Sequence, residues 1–98
     1  TKRFETSVYR TKARLRVSPL GLRRLQSFSP MVAESATRSA TAPDADGWMQ
    51  VTIPIESAED AAREMLRLGT EAEVLAPAEL RARLKSAVDR LAMLYADV

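Results

Sequence analysis

The sequence predicts an α+β domain: a four-stranded antiparallel sheet with helices on one face and an added helix at the C-terminus. Three observations predict it. Two stretches, "YRTKARLRV" at 9–17 and "WMQVTIPI" at 48–55, alternate in character with the period of a strand. Two others, 57–68 and 77–95, repeat apolar residues at three- and four-residue spacing, the period of a helix packed on one side. Turn and cap residues punctuate the intervals, and 98 residues make one domain with room for a modest core.

The elements follow in order. Residues 1–8, TKRFETSV, are polar with one aromatic and read as the end of a linker, leaving 9–98 as the domain. The first strand, 9–17, puts Ala13, Leu15 and Val17 on one face and Arg10, Lys12, Arg14 and Arg16 on the other. Ser18 followed by Pro19 is a helix start, a hydroxyl cap before a proline whose missing N–H costs nothing there. Leu20, Leu22, Leu25 and Phe28 supply its apolar stripe, Arg23 and Arg24 face outward, and Pro30 ends it.

Small and hydroxylated residues in "ESATRSATAP" read as an edge strand within 31–46, the second of the sheet. "PDADG", 43–47, is a turn that closes a hairpin onto the third strand. There Met49, Val51, Ile53 and Ile55 face the core, and Trp48, Gln50, Thr52 and Pro54 face away. Ser57 opens a second helix, with Glu59 and Asp60 in its first turn and Gly69 beyond its end. "AEVLA", 72–76, is a short strand, and Pro77 begins a long helix carrying Leu80, Leu84, Val88, Leu91 and Leu94 or Tyr95 on one stripe. The order is βαββαβ plus a helix, a ferredoxin-like arrangement whose first and third strands form the central pair.

Composition narrows the chemistry. There is no cysteine and no histidine, so no disulfide, no thiolate metal site and none of the commonest general base or metal ligand. No cofactor is expected, and the acidic pairs Glu59–Asp60 and Glu71–Glu73 have no nucleophile or base beside them, so the chain reads as a non-enzyme. No apolar run approaches the roughly 20 residues of a membrane span, and no signal peptide appears, so a cytoplasmic protein without a membrane partner is expected. Thr1 in place of an initiator Met reads as a piece cut from a longer protein. Net charge is +2, but residues 1–42 carry +7 and residues 43–98 carry −5. That split favours an anionic partner for the first half, or attraction between the halves or between copies.

From residue 66 the chain reads "LRLGTEAEVLAPAELRARLKSAVDRLAMLY": a helix closing in Leu-Gly, a Glu-Val-Leu strand, then Pro-x-Glu-Leu-Arg opening a helix that ends near Tyr. This resembles the C-terminal extension, called WCX, of bacterial WYL-domain transcriptional regulators. "GWMQVTIPIES" is similar to the family's third strand and "KARLRVSPLGLRRL" to its first strand and helix, so the likeness runs over roughly 10–96. The resemblance implies a regulator with an N-terminal winged helix-turn-helix and a Sm-like WYL barrel upstream. It also implies dimerisation, contact with the WYL barrel of the same chain, and a response to an effector that is single-stranded DNA in some members. Operator DNA would then be read by a domain absent here, and none of the family's ligand-contacting residues transfers to this stretch.

The candidate contact site comes from residue chemistry alone. On the expected topology Arg10, Lys12, Arg14 and Arg16 share the uncovered sheet face with Trp48 and Gln50. Cations beside an aromatic on an open sheet suit single-stranded nucleic acid, charges tracking phosphates and the ring stacking on a base. The competing reading is a solvated or subunit-facing surface, its charges neutralised by Glu79, Asp89 and Asp97 of the last helix or by a second chain. Trp48 serves equally as a dimer anchor. A small-molecule-sensing domain is the alternative function.

Overall fold

The computed structural model describes residues 11–96. The linker expected at 1–8 and the candidate contact residue Arg10 lie outside the described residues. Strand β1 (Thr11–Val17) leads through helices α1 (Pro19–Leu25) and α2 (Pro30–Ser39) to strand β2 (Met49–Ile55). Helix α3 (Ala58–Leu66) and a single 3₁₀ turn (Gly69–Glu71) follow, then strand β3 (Ala72–Ala76) and helix α4 (Ala78–Leu94). The sheet has three strands in the order β2-β1-β3, with both outer strands antiparallel to β1. β2 and β3 therefore run parallel to one another on either side of β1, joined by α3.

The expected βαββαβ order does not form. No strand lies within 31–46; α2 and a turn occupy those residues, and the 49–55 strand sits at the sheet edge rather than in a central pair. The reason is local. Ser29 and Pro30 repeat the start signal of Ser18 and Pro19, and the Ser29 hydroxyl accepts from the Val32 N–H at 3.2 Å. Pro30 thus opens a helix instead of closing one, and Val32 and Ala36, one turn apart, bury themselves on β2.

The hydroxylated residues still serve the edge of β2, through side chains. The Thr52 N–H donates to Ser39 Oγ at 2.7 Å, and the Gln50 N–H donates to Thr41 Oγ1 at 2.9 Å. The Thr41 N–H in turn donates to the Gln50 carbonyl at 3.0 Å. With Ser39 Oγ also donating to the Thr52 carbonyl at 3.1 Å, the outward backbone groups of Gln50 and Thr52 are satisfied without a fourth strand.

The core lies between the sheet and the helices. In register, Leu15 faces Val51 and Val74, and Ala13 faces Ile53, so both neighbours of β1 point apolar side chains to the same side. Ala13, Leu15, Val17, Leu25, Leu68 and Leu80 have no exposed surface. Every cap anticipated at Ser18 and Ser57 is made, with Gly21 N–H donating to Ser18 Oγ at 3.0 Å and Asp60 N–H to Ser57 Oγ at 3.1 Å. Ser18 also donates its own hydroxyl to Glu71 Oε1 at 2.6 Å and its N–H to the Glu71 carbonyl at 3.0 Å. That fastens the start of α1 to the turn before β3. The bond from Ser18, then one from Thr70 and the nearby Arg24 charge, hold the Glu71 carboxylate below its ordinary pKa.

Gly21 lies inside this contact, with the Glu71 carbonyl oxygen where a Cβ would stand. Gly→Ala inside a helix ordinarily stabilises by up to about 1 kcal/mol. At Gly21 the sign is expected to reverse, with Gly21→Ala losing about 1–3 kcal/mol through forced displacement of the turn, as measured by urea unfolding.

Candidate functional site

The uncovered sheet face is built by the register. Lys12 lies opposite Pro54, Arg14 opposite Thr52 and Ala76, and Arg16 opposite Gln50 and Glu73. The alternation that buries Ala13, Leu15 and Val17 necessarily lifts Lys12, Arg14 and Arg16 to the other side. The structure places Lys12, Arg14 and Arg16 along one face of β1, with Gln50 beside Arg16 and Trp48 against the Arg16 guanidinium.

The row is not uniform. Arg16 is gripped: its Nε donates to Asp44 Oδ2 at 2.9 Å and its Nη2 to Asp46 Oδ2 at 3.1 Å. Its guanidinium carbon stands 4.7 Å from the centre of the Trp48 ring. Asp44 is itself fixed by the turn, its Oδ1 accepting from the Asp46 N–H at 2.9 Å and the Trp48 N–H at 3.0 Å. Gly47 supplies the left-handed φ of 82° that closes this turn. The carboxylates at Arg16 therefore come from "PDADG" and not from the last helix, where Glu79 pairs with Arg83 and Asp89 with Lys85. Asp97 lies outside the described residues.

Lys12 and Arg14 are exposed and make no ion pair among the described residues. Glu73, across from Arg16, is taken by Arg81 at 2.9 Å. The face thus divides into a closed end, where Arg16, Trp48, Asp44 and Asp46 satisfy one another, and an open end where two cations stand about 7 Å apart along the strand. Arg16 covers one side of the half-buried Trp48 ring, which closes that side to a base or a partner side chain.

The sequence reading missed the carboxylates that hold Arg16. The signal was present: once β1 and β2 pair antiparallel with Arg16 beside Gln50, an acidic turn just before residue 48 must lie near Arg16. It also missed a groove of about 340 Å³ among Phe28, Val32, Ile53, Ile55 and Met65. On its rim the Arg67 guanidinium lies 4.7 Å from the Phe28 ring centre and pairs with Glu64 at 2.8 Å, while Arg63 pairs with Asp60. No group of acidic residues able to hold a metal occurs among the described residues. No helix there is long and apolar enough to cross a membrane.

The family model for the WCX domain matches residues 9–92. The chain belongs to the WCX family. WCX is the C-terminal extension of WYL-domain regulators, a regulatory domain by association. The match takes in every element of the fold and stops inside α4, two residues short of that helix's end. No curated protein matches this chain. In this WCX domain the sheet face at Lys12 and Arg14 and the end of α4 at Leu94 and Tyr95 are exposed.

The closed end of the face responds to acid. The Asp44 carboxylate is held below its ordinary pKa by the Trp48 N–H first, then by Arg16 and the Asp46 N–H. Its contribution to stability is complete above the usual carboxylate pKa of about 4 and is lost as pH falls through the lower value it has in the fold. Trp48, the single tryptophan, reports the change. Its fluorescence is expected to titrate below about pH 4 as Arg16 lets go. Asp44→Ala is expected to show the released emission already at neutral pH.

Proposed function

We propose that this WCX domain is a non-enzymatic regulatory and self-association module of a cytoplasmic WYL-family transcriptional regulator. It couples effector binding at the WYL barrel of the same chain to the activity of a separate domain that reads operator DNA. The observation that carries the reading is the open end of the sheet face. Lys12 and Arg14 are presented on a rigid central strand, uncovered by any helix among the described residues and unpaired by any carboxylate there. Such a face contacts something negatively charged, and a single-stranded DNA effector fits it, with the exposed Gln50 at the closed end available for a base.

One observation favours a small-molecule sensor instead, the groove at Phe28 and Ile55. Its volume is at the low end for a small ligand. Arg63 and Arg67 on its rim are already paired with Asp60 and Glu64, leaving no free cation there to orient a metabolite. The coupling module is therefore the better reading.

Titration of the chain with labelled single-stranded DNA over a range of salt tests the face. Binding is expected to weaken linearly in log[salt], and Lys12→Glu with Arg14→Glu to lower that slope by about 1.4, two contacts at about 0.7 each. Binding that ignores salt, or that survives the double substitution, removes the phosphate reading.

A further inference from the structure

The acidic turn before β2 carries two carboxylates with different work. Asp44 builds the turn. Its N–H donates to the Trp48 carbonyl at 2.8 Å, its carbonyl accepts from the Gly47 N–H at 2.9 Å, and its Oδ1 accepts from the Asp46 and Trp48 N–H groups. The Asp46 side chain builds none of it. It is 77% exposed, and among the described residues its carboxylate meets only Arg16, at 3.1 Å from Nη2. An ion pair so open to water adds little to stability. Its consequence falls on Arg16, which it occupies.

Arg16 is the last of three cations, Lys12, Arg14 and Arg16, that rise from one face of β1 at steps of about 7 Å. A guanidinium presents five N–H donors in a planar fork that fits phosphate oxygens two at a time. Arg16 gives one donor to each carboxylate, Nε to Asp44 and Nη2 to Asp46, and Nη1 has no partner among the described residues. Asp44 and the Trp48 ring hold the guanidinium in place independently of Asp46. A phosphate in the position of the Asp46 carboxylate would take Nη2 and reach Nη1 beside it, two contacts where the carboxylate makes one. Until Asp46 moves, its like charge also repels phosphate from that end of the row. A chain of phosphates running along β1 past Lys12 and Arg14 therefore meets a third cation that is already oriented but covered.

We propose that Asp46 is an internal competitor for the phosphates of the partner: its carboxylate fills a third phosphate position at Arg16, which a bound single strand reaches only by displacing it. The proposal rests on the reading of the sheet face as a contact for single-stranded DNA. It adds what restricts that contact to two cations.

A labelled oligothymidylate, titrated over a range of salt against the wild-type and Asp46→Asn chains, tests it. Asp46→Asn removes the charge and none of the Asp44 bonds, so the melting temperature is expected to hold. The variant is expected to steepen the log–log salt slope by about 0.7, one added contact, which at 0.1 M salt is about fivefold tighter binding. Asp46→Ala, which removes the acceptor as well, is expected to behave alike. With Arg16→Gln added, the gain is expected to vanish, so that the double variant binds no tighter than Arg16→Gln alone. A gain that persists without Arg16 comes from the general loss of negative charge and overturns the competitor. A wild-type chain that binds, with Asp46→Asn matching it in affinity and slope, overturns the competitor alone. Absence of binding by both chains overturns it together with the reading of the sheet face.

Discussion

Leu15 faces Val51 on one side and Val74 on the other, and all three enter the same core. The rest of the structure depends on this three-strand layer. Among the described residues β1 is the only strand paired along both edges, so its alternation sets which side of the sheet is apolar. A slip of one residue would bury Arg14 and Arg16 and expose Leu15, an outcome that desolvation of two charges forbids. The cationic face is thus a consequence of the core: burying Ala13, Leu15 and Val17 leaves the interleaved side chains nowhere to go except the other face.

Once that face exists, its charges must be accommodated, and the fold does so unevenly. The turn before β2 brings Asp44 and Asp46 to Arg16 and lays Trp48 against it. The same turn lets Thr41 reach the edge of β2. A single short loop therefore shields the sheet edge, neutralises one end of the cationic row and positions the tryptophan. The other end receives no such treatment, which gives the face a direction: a rigid, neutralised end beside a charged, solvated one.

The two unsatisfied surfaces of the domain differ in kind. The sheet face is polar and positively charged at Lys12 and Arg14, and it suits a negatively charged partner through electrostatic complementarity. The end of α4 is apolar and almost uncharged, and it suits burial against a surface like itself. The two surfaces lie at different places on the domain, so each is available for a separate contact.

Much of this was legible in the residues. Period-two alternation located β1 and β2, serine caps located α1 and α3, and the heptad-like stripe located α4, because each signal is carried by neighbours along the chain. The family likeness in the last thirty residues was legible for the same reason. The helix at Pro30–Ser39 was also written locally, in a Ser-Pro start identical in form to the one at Ser18, but the hydroxylated residues after it imitate an edge strand. They do act at an edge, through Ser39 and Thr41 side chains, which composition alone does not separate from backbone pairing. What only the tertiary structure decided was which charges meet. Arg16 and Asp44 are 28 residues apart, and the β1–β2 register brings them to 2.9 Å while leaving Lys12 and Arg14 in solvent. Likewise the stripe on α4 is continuous in sequence, and only the size of the body beneath it determines that Leu80 is buried and Tyr95 is not.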